Sequence, residues 1–290
     1  MSHSVLDIPY LAVGAVLAIG AVPPVRTTVL GLLSAFAGLT AIFALNDVMD
    51  RRVDAEKMRL SPAQPASFDL DSLGLRHPVA QGKLSFGAGL AWIAAWSALS
   101  FTLAWLVRPA CAWLLLAAAV LEVGYCRLLR VTPWKTILTG SNVAVGGLAG
   151  LYAVASAPSL ALVLLFFAWS FSWEVGCRNI PNDWTDFEDD VRLGIRTIPV
   201  HAGLKKAARV SLATMTVTVL CAALFPLVSP RVAWPVYELG ASASALFLLV
   251  FPSLRWQRDL SRGAAQTFFN RACFYPLATF SALALGVLIL

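Results

Sequence analysis

Two stretches of this chain repeat one spacing of oxygen-bearing side chains. Asn46, Asp47, Asp50 and Asp54 follow the pattern N-D-x-x-D-x-x-x-D, and Asn182, Asp183, Asp186 and Asp190 follow it again. Each helical residue advances by about 100°, so every set falls within an arc of about 100°, and a helical continuation presents one oxygen-rich stripe. Clustered carboxylates repel one another and call for cations, and hard divalent ions with oxygen ligands answer that call. Magnesium suits the set best, because it keeps waters and takes one or two carboxylates together with phosphate oxygens of a substrate. The glycine-containing calcium loop is absent. The plainer reading, aspartates that cap helices and solubilise a loop, explains one copy better than two copies at matched helix ends.

The elements that must position these stripes lie in a membrane. Hydrophobic residues make up 59% of the 290 and charged residues 13%, with a mean hydropathy of +0.74, too little polar surface for a soluble domain. Nine apolar stretches reach spanning length: Ile8 to Val22, Val29 to Leu45, Leu84 to Leu106, Cys111 to Tyr125, Ile137 to Val154, Ser159 to Ile180, Val210 to Val228, Val232 to Val250 and Ala272 to Leu290. The expected fold class is an all-α membrane bundle of about nine transmembrane helices, one domain over residues 1–290. No Lys or Arg precedes the first stretch and no small-residue cleavage site follows it, so it is expected as a true span. The longest connection, Asn46 to Lys83, begins with the first motif.

Charge placement sets the orientation. Of 22 basic residues, only Arg26, Arg108 and Arg231 fall on odd-numbered connections, and the rest follow helices two, four, six and eight. Cytoplasmic loops retain Lys and Arg, so those four connections are expected in the cytoplasm, with the N-terminus inside and both motifs on the cytoplasmic side of the cell (plasma) membrane. The net charge of +6 is thus a topology signal, and no soluble basic face suggests nucleic acid. The five cysteines show no C-x-x-C spacing and the three histidines are dispersed, so neither suggests zinc.

The first motif resembles the N-D-x-x-D-x-x-x-D signature of the UbiA superfamily of intramembrane prenyltransferases. Asp186 to Asp190, followed by Gly194-Ile195-Arg196-Thr197-Ile198-Pro199, resembles that family's second D-x-x-x-D motif with its G-[IV]-[KR]-T-[IL]-P tail. Arg76-His77-Pro78-Val79-Ala80-Gln81-Gly82-Lys83 resembles its N-R-P-[IL]-x-x-G-[KR] segment. The resemblance implies a bundle whose cavity opens to lipid, with the two motifs facing each other across a polar pocket. It implies magnesium-dependent ionisation of a polyprenyl diphosphate and transfer of the prenyl group to an acceptor, here expected to be aromatic. Metal ligands are then Asn46, Asp47, Asp50, Asp54, Asp183, Asp186 and Asp190, with Asp50, Asp54, Asp186 and Asp190 as the catalytic set. Diphosphate contacts are Arg76, Lys83, Tyr125, Arg130, Lys135 and Arg196.

The family's Y-x-x-x-K element is altered, because Tyr125 is followed at that spacing by Leu129; Arg130 is the expected substitute. Glu122, Asn142 and Glu174 are candidates for the acceptor pocket, since ionisable groups in spans are costly without a role. Glu174 and Arg178 are also spaced for an i, i+4 ion pair, and Asn142 among glycines could join helices. Trp169, Trp173 and Trp184 read either as π faces for an allylic cation or as an interfacial belt. A rival within the superfamily is cyclisation of a prenyl diphosphate without an acceptor. A rival of another class is a cation-coupled transporter, although its carboxylates would sit nearer the bilayer midplane.

Overall fold

The computed structural model describes residues 2–60, 77–229 and 234–289, and every regular element among them is helical. The helices are α1 (Ser2–Ile19), α2 (Val25–Leu60), α3 (Phe86–Val107), α4 (Pro109–Arg127), α5 (Lys135–Val154), α6 (Leu160–Trp173), α7 (Ile180–Thr185), α8 (Phe187–Leu193), α9 (Ile198–Ala202), α10 (Leu204–Leu224), α11 (Trp234–Ser244), α12 (Phe251–Asp259), α13 (Arg262–Ala272) and α14 (Tyr275–Leu288). Several of these join into longer rods. Among the described residues, eight rods are long and apolar enough to cross a membrane, and the shorter apolar stretch Leu6–Ile19 of α1 brings them to the expected nine.

Hydropathy located the spans but misjudged where helices stop. The apolar part of α2 ends near Leu45, yet the helix runs to Leu60, so the start of the expected Asn46 to Lys83 connection is helical. No Gly or Pro follows Gly38 within α2, so nothing there breaks the backbone when the side chains turn polar. At 36 residues, α2 is about 54 Å long against a hydrocarbon core of about 30 Å. Much of the expected connection between the last two spans, residues 251–271, is likewise helical, as α12 and α13.

Two rods are continuous through a π-helical turn. Glu174–Asn179 joins α6 to α7 and Ala245–Val250 joins α11 to α12. Each turn runs up to a proline early in the next helix, Pro181 and Pro252. Proline removes one backbone donor and crowds the preceding turn, and the wider π geometry relieves that crowding without ending the rod. The first turn also packs tightly. Gly176 lies so near α10 that a Cβ there would stand 2.0 Å from Thr214 Oγ1, and Ser211 donates to the Gly176 carbonyl.

The core gathers between α1, α5, α6, α10, α13 and α14. Trp169, Trp173, Trp256, Tyr237, Tyr275, Phe166, Phe225 and Phe268 are fully buried in it. Trp169, Trp173 and Trp184 are therefore core residues rather than an interfacial belt. Trp173 donates from Nε1 to the Ala272 carbonyl at 3.0 Å, and Trp184 meets the Trp256 ring edge-on with centroids 4.9 Å apart. Lipid-facing aromatics lie instead on α2, α3 and α4, where Phe36, Trp92, Trp105 and Trp113 are exposed.

Candidate active site

The C-terminal parts of α2 and α4, the N-terminus of α5, and α7 with α8 meet at one end of the bundle. Because α2 remains helical, Asn46, Asp47, Asp50 and Asp54 share the expected face. The segment following residue 76 docks on that face. His77 Nδ1 lies 2.8 Å from Asp54 Oδ2 and 3.5 Å from Asp47 Oδ1, and the Val79 amide donates to Asp47 Oδ2 at 3.4 Å. Asn46 turns toward α4, where its Nδ2 donates to Glu122 Oε1 at 3.2 Å. The other oxygen of the buried Glu122 accepts from Asn142 Nδ2 of α5 at 2.6 Å. Glu122 and Asn142 thus meet next to the first motif, and Asn142 joins helices as well.

The second motif does not continue as one helix. Asp186 sits between α7 and α8 at φ −98°, ψ 4°, ending one helix and starting the next. Asp183 precedes this break and Asp190 follows it, both buried. Gly194 then closes α8 in the left-handed conformation (φ 66°), and Thr197 caps α9 by accepting from the Val200 amide at 3.4 Å. The G-I-R-T-I-P segment is thus a pair of helix caps, and its Arg196 amide donates to the Leu129 carbonyl of the α4–α5 loop at 3.0 Å.

Two lysines bind this arrangement together. Lys57, one turn beyond Asp54 on α2, reaches Asp186 Oδ2 at 2.6 Å and Asp190 Oδ1 at 3.6 Å, linking the two motifs. Lys135, buried at the first turn of α5, donates to Tyr125 Oη at 3.2 Å and lies 4.4 Å from the centre of that ring. It is thus Lys135, on the next helix, that meets Tyr125. Arg130 pairs with Glu56 at 2.6 Å, with both side chains about half exposed.

Carboxylates outnumber these cations. Burial pushes the Asp190 carboxyl up to about 7, with Asp183 and Asp186 adding to the rise while Lys57 and Lys135 oppose it. Asp183 Oδ2 is buried without a hydrogen-bond partner among the described residues. A hard divalent cation fits this chemistry, since an unsatisfied buried oxygen among clustered carboxylates is what such an ion neutralises.

Other expected residues lie elsewhere. Lys83 and Arg196 have exposed side chains, and Arg76 lies outside the described residues. Glu174 joins an ion cluster, in which Arg178 lies 3.2 Å from it and 2.9 Å from Asp7 of α1. Arg178 also covers the Trp173 ring at 4.9 Å. The site residues that spacing alone missed are Lys57 and His77. Lys57 continues the stripe three residues past Asp54, which was a usable signal; His77 lies inside the segment that resembles N-R-P, at the arginine position, which was another.

A sequence model of the UbiA prenyltransferase family matches residues 8–274. Among curated proteins, the chain is 31% identical over 298 aligned positions to the protoheme IX farnesyltransferase of Acidiphilium cryptum, covering 96% of this chain and 85% of that one. Among solved structures, an apo UbiA homologue from Aeropyrum pernix K1 superposes with a TM-score of 0.76 at 21% identity, covering 98% of this chain and 97% of that one. A UbiA homologue from Archaeoglobus fulgidus, solved bound to DMAPP and Mg2+, superposes with a TM-score of 0.70 at 20% identity, covering 98% and 96%. Those two likenesses concern the fold. With the family match extending over nearly the whole helical bundle, the chain belongs to the UbiA prenyltransferase family.

Proposed function

We propose that this prenyltransferase moves a prenyl group from a polyprenyl diphosphate to an aromatic acceptor within the membrane, with magnesium held by Asn46, Asp47, Asp50, Asp54, Asp183, Asp186 and Asp190. The observation that carries the reading is the meeting of the two motifs at one end of the bundle, joined by Lys57 and flanked by the Lys135–Tyr125 pair. Magnesium supplies charge neutralisation of the diphosphate as it departs from the allylic carbon. Asp50, Asp54, Asp186 and Asp190 set the position of that diphosphate, and Lys135 with Tyr125 bonds to oxygens turned toward α4 and α5. Lys83 and Arg196 extend the positive rim, and Arg130 acts by holding Glu56 at the end of α2; Arg76, the remaining diphosphate contact of this reading, lies outside the described residues. The motif end faces the cytoplasm, in keeping with the basic connections there.

Apolar walls supply the rest. A cavity of about 450 Å³ lies between α1, α2, α4, α5 and α14, lined by residues such as Leu32, Ala35, Leu115, Gly150 and Phe280. It begins about 18 Å along α2 from Asp47, counting from Ala35 at 1.5 Å per residue. A chamber at that distance suits the far, apolar end of an isoprenoid tail whose diphosphate lies at the motifs. Glu122, with both oxygens engaged by amides, orients Asn46 and borders the acceptor side with Asn142.

The test incubates purified protein with magnesium, a panel of prenyl diphosphates and membrane extract, followed by mass spectrometry of the lipids. Metal-dependent diphosphate release with the prenyl chain attached to an acceptor is expected. A cyclic hydrocarbon formed at a rate unaffected by the extract would overturn transfer in favour of cyclisation.

A further inference from the structure

His77 stands where the resembling N-R-P segment carries arginine, and the substitution changes what the first motif can bind. Guanidinium only donates, whereas a neutral imidazole offers a nitrogen lone pair to a metal. The His77 backbone is held at φ +49°, a left-handed conformation uncommon for a non-glycine residue. It is fixed by a tight turn in which Gln81 N donates to the His77 carbonyl at 2.9 Å and Lys83 N to the Pro78 carbonyl at 2.9 Å. That turn delivers Nδ1 to within 2.8 Å of Asp54 Oδ2 and 3.5 Å of Asp47 Oδ1.

Resting on the reading of the aspartates as metal ligands, we propose that His77 completes a three-ligand site with Asp47 and Asp54, raising its affinity for manganese or zinc relative to magnesium. The edges of the triangle carry the argument. Ligands about 2.1 Å from a shared ion stand about 3.0 Å apart in an octahedron and about 3.4 Å apart in a tetrahedron. The observed 2.8 and 3.5 Å bracket both, and all three donor atoms lie within 4.8 Å of one another. Asp47 and Asp54 stand two turns apart on one helix face, so the third ligand approaches them from outside that helix. Magnesium takes oxygen in preference to nitrogen, while manganese and zinc accept imidazole and gain affinity from it.

The experiment loads the full-length protein in detergent with Mn2+ and records pulsed EPR. Nitrogen modulation from one imidazole is expected, and it should change character when the protein carries [15N]histidine, an assignment that needs no variant. His77→Asn, which tolerates the left-handed backbone, should lose the modulation and weaken Mn2+ binding about tenfold or more, with Mg2+ binding changed far less. His201→Gln should leave the modulation intact. Bound Mn2+ without histidine modulation overturns the role of His77 and leaves the aspartate site standing. Absence of Mn2+ binding that depends on Asp54, tested with Asp54→Asn, overturns both.

Discussion

Replacing Lys57 with Met removes the one side chain that touches both Asp186 and Asp190 from the opposite motif. At an effective dielectric of about 20, contacts of 2.6 and 3.6 Å are worth about 6 and 5 kcal/mol of gross attraction. Desolvation removes most of this. An exposed pair nets about 1 kcal/mol or less, and breaking a buried one costs about 3–5 kcal/mol. Asp190 is buried at 4% side-chain exposure, whereas Lys57 and Asp186 are at 27% and 36%, so the net loss should be about 2 kcal/mol. For 290 residues that corresponds to a melting shift of about 3 °C. Magnesium supplies the missing charge, so saturating MgCl2 should raise the melting point of Lys57→Met by more than it raises the parent and narrow the gap. Thermal-shift fluorimetry in detergent measures both quantities. Equal melting points without metal, together with equal magnesium shifts, would refute the assignment of Lys57 as the tie between the motifs.

Asp50→Ala and Asp186→Ala should each lower turnover by about a hundredfold or more while leaving helical content intact, because a shared cluster that loses a carboxylate misplaces the diphosphate as well as weakening the metal; diphosphate release at limiting magnesium measures this. Glu122→Gln keeps the volume but leaves one of two amide donors facing a donor, and should destabilise the protein by about 1–3 kcal/mol. That cost should fall well below additivity when combined with Asn142→Ala, as a double-mutant cycle by chemical denaturation would show. A cysteine introduced at Ala66 should resist an impermeant thiol reagent applied to intact cells and react after lysis; modification from outside would reverse the proposed orientation.

Sequence spacing exposed the aspartate stripes because the information is local: an i, i+4, i+8 pattern on a helix needs no knowledge of the fold. Whatever depended on two segments approaching each other was hidden. Lys135 meets Tyr125 although it lies on the following helix, since packing of α4 on α5 brings together positions that the chain separates. His77 reaches the first motif only through its turn, so its place in the segment resembling N-R-P could be read from the chain but its approach to Asp54 could not. The ends of α2, α12 and α13 were missed because hydropathy reports the thickness of the lipid and not the reach of the backbone. The Glu174–Arg178 pair was legible from its i, i+4 spacing, but the third member of the cluster, Asp7, comes from another helix.

The break at Asp186 makes the two walls of the cleft mechanically unequal. Asp47, Asp50 and Asp54 ride on an uninterrupted hydrogen-bonded rod, so their spacing is fixed before any ligand arrives. Asp190 stands on a seven-residue helix with a non-helical joint at each end, Asp186 and Gly194, and is tethered to α2 through Lys57. One side therefore acts as an anvil and the other as a jaw, and movement on ligand entry concentrates in the short helix. Amide exchange in α8 should respond to ligand while the facing stretch of α2 stays protected, a directional compliance arising from one interrupted turn of backbone.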